Sequence, residues 1–564
     1  MPKLLALLLL IFSSSTIAGE RPPANRYADV TADGRGAVAT VQPVATRAAM
    51  DAYEQGGNAL DAAVAAALTL GVVDGHNSGI GGGIFAVVHW ADGTVEAIDG
   101  REIAPARAHR DMYVRDGEYR PELSKKGPLA VGIPGSVSAY DYMMRKGGEG
   151  TFAQHLKAAA DLAEEGFAID GIFTRRLNRH VDDLNEFPGT AAIFLNPEGE
   201  PWPLGHRLQQ PDLARTYRAI AKQGPEYFYE GDFARAVGDW MADNGGMVRA
   251  EDFADYDLKR PQPVVSDYRG YRIYGYPPPS SGGVHVAQML NMMSHFEPAK
   301  LSEADRYHLL AETMKLAFAD RAHWLGDPAF AQVPKGLAGE PYAETLAERI
   351  SLDKARTVEG HSEPPKSQEE LFGKHTTHIA TADKEGNWVA ITATVNTNFG
   401  SKVVVPGTGV ILNNQMDDFS AQPGEPNAYG LIGAEANSIR PGKRPLSSMS
   451  PTIVTREGKP VLTLGAAGGP TIITQVFQTL VNYIDLELAL EDAIAMPRVH
   501  HQWRPDHLFV EKTLPDPVRG ALETKGHSLR RLGDYGSTQA IGLDRKGGFI
   551  SVAEPRLEER NQVE

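Results

Sequence analysis

Apolar residues recur every three or four positions over 43–55, "PVATRAAMDAYEQ", and the pattern stops at Gly56 and Gly57. That is one face of a helix ended by glycine. A second apolar stretch, "DAAVAAALTLGVV" from Asp61, follows at once. It falls short of the roughly 20 residues that span a bilayer, and its small side chains suit a buried helix. Helical patterns return over 304–323 and 471–484. Strand patterns lie elsewhere: 85–90 and 94–98 flank Asp92 and Gly93, a hairpin signal. The same pattern surrounds "DKEGN" from Asp383, "REGK" from Arg456 and "DRKGG" from Asp544. Hairpins make antiparallel sheet, and the long helices between them are expected to cover its faces. The fold class is therefore α+β.

Two segments interrupt this order. Residues 352–374 contain "TVEGHSEPPKSQEELFGK", rich in charge, Pro, Ser and Gly, and read as a linker. It ends at "TTH", Thr376 to His378, where a strand pattern begins. At the other end, "MPKLLALLLLIFSSSTIAG" places Lys3 before a short apolar run and sets Thr16 and Ala18 at the positions a signal peptidase inspects. Residues 1–18 are read as a cleaved signal peptide, which points to a bacterial periplasm or the medium, with no membrane anchor.

Composition narrows the chemistry. A chain of 564 residues with 42% hydrophobic content can bury a sizeable core. Its 56 basic and 72 acidic residues give a net charge of -16, which repels nucleic acid and anionic membranes and favours small polar substrates. Cysteine is absent, so any nucleophile carries oxygen or nitrogen. His500 and His501 have no helical partner at i, i+4, so no metal is assigned and no cofactor is expected. "SGIGGG" from Ser78 lacks the nucleotide-binding spacing and reads as tight backbone packing, and "PPPSSGG" from Pro277 as a rigid turn into a buried helix.

Thr376 has a chemical reading beside its structural one. A threonine hydroxyl is a weak nucleophile unless a base takes its proton, and at a chain terminus the free α-amino group is that base. Such an amine titrates at about 7.7 to 8.0, where a general base works best. Cutting the chain before Thr376 would thus create a catalytic residue. By spacing alone, "TTH" reads first as the start of a β-strand, since β-branched residues favour strands.

The motifs "SGIGGG", "DGREIAPARA" from Asp99, "AVGIPGSV" from Ala130, "YPPPSSGG" from Tyr276, "DRAHWLGDP" from Asp320, "TTH", "NNQMDDFS" from Asn413, "GKRPLSSMSPTI" from Gly442 and "GAAGGP" from Gly465 occur in that order. With them the chain resembles the γ-glutamyltranspeptidase (glutathione hydrolase) family of N-terminal-nucleophile hydrolases, from about Thr40 to its C-terminus. The resemblance implies a four-layer αββα sandwich made as a proenzyme. It implies self-cleavage between His375 and Thr376 into a large subunit, 19–375, and a small subunit, 376–564, that stay paired as a heterodimer. Thr376 would be the nucleophile and Thr394 would orient it. Arg101, Ser447 and Ser448 would hold the substrate α-carboxylate, and Asn396, Gln415 and Asp418 its α-ammonium. A guanidinium and a carboxylate are what a zwitterionic amino-acid head requires. Gly468 and Gly469 can bring backbone N–H groups to a developing oxyanion ahead of the helix at Thr471. The Pro- and Gly-rich stretch 419–444 resembles the family's lid, with Tyr429 shutting the pocket and shaping the acceptor side. The expected substrates are glutathione and other γ-glutamyl compounds, with water, amino acids or peptides as acceptors. Two alternatives are a glutaryl or cephalosporin acylase of the same fold and a non-catalytic binder of γ-glutamyl peptides.

Overall fold

The computed structural model describes residues 27–359, 376–422, 424–533 and 537–557. The leader 1–18, the linker from 360 on and His375 lie outside them. Twelve strands among the described residues form two six-stranded sheets: β1 (Ala28–Val30), β2 (Gly36–Ala39), β3 (Gly83–His89), β4 (Val95–Gly100), β5 (Val264–Tyr268), β6 (Tyr271–Gly275), β7 (Thr377–Asp383), β8 (Trp388–Thr394), β9 (Thr452–Arg456), β10 (Lys459–Gly465), β11 (Gln539–Leu543) and β12 (Phe549–Ala553). The first sheet runs β1-β2-β7-β8-β3-β4 and the second β12-β11-β10-β9-β6-β5. Neighbouring strands are antiparallel throughout. The four sequence-derived turns are the hairpin bends β3–β4, β7–β8, β9–β10 and β11–β12. The short strands β1, β2, β5 and β6 escape the alternation pattern, since three to five residues carry too few periods to read.

Side chains alternating along each strand build the layers. Ile84, Ala86 and Val88 of β3, with Ile379 of β7 and Val389 and Ile391 of β8, face a helical layer that includes α1 (Pro43–Glu54) and α2 (Ala59–Val73). Their neighbours Phe85, Val87, Ala380, Ala382 and Ala390 face the other way, onto Ile453, Ala466 and Ile541 of the second sheet and its flank. Val454, Leu462 and Leu464 on the far face of that sheet meet α3 (Gly282–Met293), α4 (Glu303–Trp324) and α5 (Thr471–Ile484). The order is helix, sheet, sheet, helix, an αββα sandwich. The many alanines between the sheets give a thin, closely packed layer.

Local chemistry fixes these elements. Asn58 caps α2 in a reciprocal box with Asp61, and the Asp383 carboxylate at the β7–β8 bend accepts from the Ala59 amide at 3.0 Å, tying hairpin to helix. All fifteen residues of α2 are buried, as expected for an apolar stretch covered by protein, and no helix of the described residues is long and apolar enough to cross a membrane. The "SGIGGG" segment is packed as tightly as its composition predicts: a Cβ on Gly82 would lie 2.0 Å from the Thr394 carbonyl oxygen. Gly82→Ala is accordingly expected to lower stability by about 1–3 kcal/mol through overpacking against backbone, read as a drop in denaturant midpoint at unchanged m-value.

Candidate functional site

Strand register assembles the site. The β7–β8 pairs run from Ala382↔Trp388 to Thr377↔Ala393, and one further step sets Thr376 opposite Thr394. Their hydroxyl oxygens lie 3.3 Å apart, and the Thr394 hydroxyl also accepts from the Asn396 amide at 2.9 Å. By alternation from Ala380 and Ala382, the Thr376 side chain falls on the face turned toward the second sheet. Gly83 pairs with Thr394 and Ile84 with Gly100, so Arg101, just past β4, reaches the same end. In the second sheet Thr452 pairs with Leu464, so "LSSMSP" before β9 and "GAAGGP" after β10 leave one hairpin at one end. Where these ends meet lies a small cavity lined by Arg101, Thr376, Thr394, Asn396, Gln415, Asp418, Tyr429, Ser447, Ser448 and Gly469. Gly468 is not in that lining; its carbonyl accepts from the Thr471 hydroxyl at 2.6 Å.

The cavity carries both signs of charge. Arg101 Nη2 donates to Asp418 Oδ2 at 2.6 Å, and its other donations go to the Pro445 and Leu446 carbonyls at 3.1 and 3.2 Å. Gln415 Nε2 donates to the same Asp418 oxygen at 2.9 Å, while Gln415 Oε1 is buried with no hydrogen-bond partner among the described residues. Burial pushes the Asp418 carboxyl up, and Arg101 pulls it back down. The neighbouring Asp417 does other work: it accepts from the Ser124 hydroxyl at 2.6 Å and the Ala428 amide at 2.9 Å, anchoring the 419–444 stretch. Ser447 and Ser448 are set by the preceding motif, because the Ser281 amide and hydroxyl both donate to the Ser447 carbonyl, at 2.8 and 2.7 Å.

Tyr429 lines the same cavity as the threonine pair. Its hydroxyl donates to the Asn396 carbonyl and to Asn396 Oδ1, both at 2.8 Å, and its ring lies against Gly469. Asn396 takes φ +79°, a left-handed conformation that Asn tolerates better than most residues and that carries the chain out of β8. The covering stretch is not wholly irregular, since it holds a single 3₁₀ turn at Glu435–Asn437 and a bridge between Pro426 and Ile432.

Arg321 is a lining residue that sequence reasoning did not assign, although it stands in the "DRAHWLGDP" motif. It is 4% exposed and donates from Nε to the Ser281 hydroxyl at 2.9 Å and from Nη2 to the Ser448 hydroxyl at 3.1 Å. Burial lowers its guanidinium to about 10. The signal available in the sequence was its place in that motif. Other polar clusters lie elsewhere. His308 and His527 are joined by a 2.7 Å ring-nitrogen hydrogen bond, and Glu312 beside them is held by the Lys315 ammonium at 2.8 Å and the Arg356 amide at 3.0 Å. That contact is a hydrogen bond and the ammonium opposes a cation, so the cluster reads as a join between α4 and the C-terminal region. His500 bonds Thr474 and Gln502 and His501 bonds Asp506, both histidines held neutral by burial, at about 3 and about 4. A larger open basin beside the Asp383–Asn387 bend holds none of the sequence-derived site residues.

The family model described as Gamma-glutamyltranspeptidase matches residues 45–563. The chain is 41% identical to the glutathione hydrolase proenzyme of Escherichia coli (strain K12), over 93% of this chain and 90% of that protein. It is 38% identical to the glutathione hydrolase proenzyme of Bacillus subtilis (strain 168), over 95% and 93%. Among solved structures, the cephalosporin acylase from Bacillus halodurans superposes with a TM-score of 0.84 at 29% identity, covering 97% of this chain and 98% of that one.

The contact between Tyr429 and Gly469 generates an expectation. A Cβ on Gly469 would lie 2.6 Å from the Tyr429 ring, at a φ of +57° that suits glycine. Gly469→Ala should dislodge Tyr429, and limited proteolysis should then cut within 419–444 several-fold faster than in the wild type.

Proposed function

The chain belongs to the γ-glutamyltranspeptidase family, and from that premise we propose that it is a self-processing γ-glutamyl transferase and glutathione hydrolase with Thr376 as nucleophile. One observation carries the reading: a hydroxyl pair, Thr376 and Thr394, opens onto a cavity whose lining offers a guanidinium, two serine hydroxyls, a carboxylate and an unfilled amide oxygen. Those groups match an amino-acid head, with carboxylate toward Arg101, Ser447 and Ser448 and ammonium toward Asp418, Gln415 Oε1 and Asn396.

The chemistry is then acyl transfer in two steps. Cleavage of the His375–Thr376 bond frees the α-amine. It takes the proton of Thr376 Oγ1 as the oxygen attacks the γ-carbonyl carbon, with Thr394 orienting the hydroxyl. The Gly468 and Gly469 N–H groups hold the oxyanion, the C–N bond breaks, and the amine departs with the proton. Water, an amino acid or a peptide then attacks the ester and regenerates Thr376. Tyr429 shields this site from bulk water. After cleavage the two subunits, 19–375 and 376–564, stay together because β7 and β8 are hydrogen-bonded between β2 and β3 of the large subunit. The leader 1–18 directs export to the periplasm or medium.

The likeness to a cephalosporin acylase structure favours a second reading, glutaryl transfer. Asp418 and Gln415 weigh against it, since a glutaryl group would bring no ammonium to share Asp418 with Arg101 and would leave Gln415 Oε1 unfilled.

Two mutants test the reading. Thr376→Ala should yield a folded single chain with no turnover, where the wild type runs as two; two chains by mass spectrometry, or activity near wild type, would refute it. Asp418→Asn keeps shape and removes charge, so kcat/KM for glutathione should fall about ten- to a hundredfold, the worth of a charge-assisted hydrogen bond of about 1.5–3 kcal/mol. Glutaryl substrates should lose much less; a wild type that prefers glutaryl over γ-glutamyl anilides would replace the reading with the acylase.

A further inference from the structure

We propose that Arg321 is a specificity-determining residue that positions Ser448 and supplies the second positive charge for the substrate α-carboxylate. The inference rests on the γ-glutamyl reading above and adds a residue to it. Charge balance is the first argument. The charged residues lining the cavity are Arg101, Arg321 and Asp418. Arg101 already faces two carboxylates, Asp418 at 2.6 Å and Glu102 at 3.7 Å, and donates to the Pro445 and Leu446 carbonyls, with Nη1 left without a hydrogen-bond partner among the described residues. Arg321 has no carboxylate within ion-pair distance among the described residues, and its donations go to hydroxyls. Its neighbour Asp320 is turned away, accepting from Gln288 and Tyr342. Asp418 acts on Arg321 only at a distance, and a buried guanidinium with no carboxylate in contact is costly, a cost that an anionic ligand reduces. With a bound amino-acid head, Asp418 stands between Arg101 and the ammonium, and the carboxylate between Arg101 and Arg321, so that each anion meets two cations.

Hydrogen-bond polarity is the second argument. A guanidinium only donates. Ser448 Oγ therefore accepts from Arg321, and its single proton is left to be donated elsewhere; Ser448 lines the cavity. Ser281 Oγ likewise accepts from Arg321 Nε and spends its proton on the Ser447 carbonyl, which fixes the backbone carrying both serines. One side chain thus sets a donor hydroxyl and the strand lead-in beneath it. A lysine keeps the charge but cannot fork to both hydroxyls.

The test compares three anilides in the processed enzyme. γ-Glutamyl-p-nitroanilide carries ammonium and carboxylate, glutaryl-p-nitroanilide the carboxylate alone, and 4-aminobutyryl-p-nitroanilide the ammonium alone. Arg321→Gln should raise KM roughly ten- to a hundredfold for the first two and leave the third within about twofold, with self-cleavage intact. Arg321→Lys should recover part of the loss, and Ser448→Ala should add little on top of Arg321→Gln. Equal losses on all three anilides, or no loss on the carboxylate-bearing pair, would overturn the proposal. If Arg321→Gln does not fold, the same comparison on Arg321→Lys decides it. Failure of the γ-glutamyl reading shows separately, as a wild type that turns over glutaryl and not γ-glutamyl anilide, and the glutaryl arm still reads the role of Arg321.

Discussion

The antiparallel register of the β7–β8 hairpin is the constraint on which the rest of the site depends. Fixed by the Asp383–Asn387 bend and by pairing with β2 and β3 on either side, it permits one partner for Thr376 across the sheet, and that partner is Thr394. A slip of one residue would turn both side chains to the helical face, since the strand period is two. The alternation that packs Ile379, Val389 and Ile391 against the helices therefore also holds the two hydroxyls between the sheets. Packing of the core and aiming of the site are one requirement.

The second sheet contributes in the same way. β9–β10 delivers the serines from its beginning and the glycines from its end, because the two flanks of an antiparallel hairpin leave together. Thin alanine packing between the sheets lets these flanks approach the first sheet closely enough to enclose a cavity. Polar groups buried there are matched pairwise, with Arg101 against Asp418 and Arg321 against Ser281 and Ser448. Two buried groups of lining residues are left without a hydrogen-bond partner among the described residues, Arg101 Nη1 and Gln415 Oε1, a donor and an acceptor that the proposed substrate would fill.

Adjacent aspartates divide two tasks. Asp417 ties the covering stretch through the Ala428 amide, next to the tyrosine that shuts the cavity, and Asp418 faces the cavity itself. Both aspartates sit in one short 3₁₀ turn, Gln415–Asp418, and Tyr429, bonded to Asn396, is one residue from the Ala428 amide that Asp417 holds.

Local rules settled much of this from sequence: helices at 43–54, 303–324 and 471–484 follow from periodicity and glycine stops, and the four hairpin bends follow from their Asp, Gly and Lys residues. The motifs carried the names of the candidate residues, and a cysteine-free composition left oxygen or nitrogen as nucleophile. Three things needed the tertiary structure. The short strands β1, β2, β5 and β6 exist by pairing with distant partners, and three to five residues hold no legible period. The partners that Asp417 and Asp418 take, Ser124 and Arg101, lie some three hundred positions away and are met only in the fold. Arg321 was not assigned from the sequence, and only the approach of Ser281 and Ser448 gives it a place in the cavity. Sequence fixes what is decided within a few residues, whereas an electrostatic role depends on which distant groups share the same dry space, and folding alone brings those together.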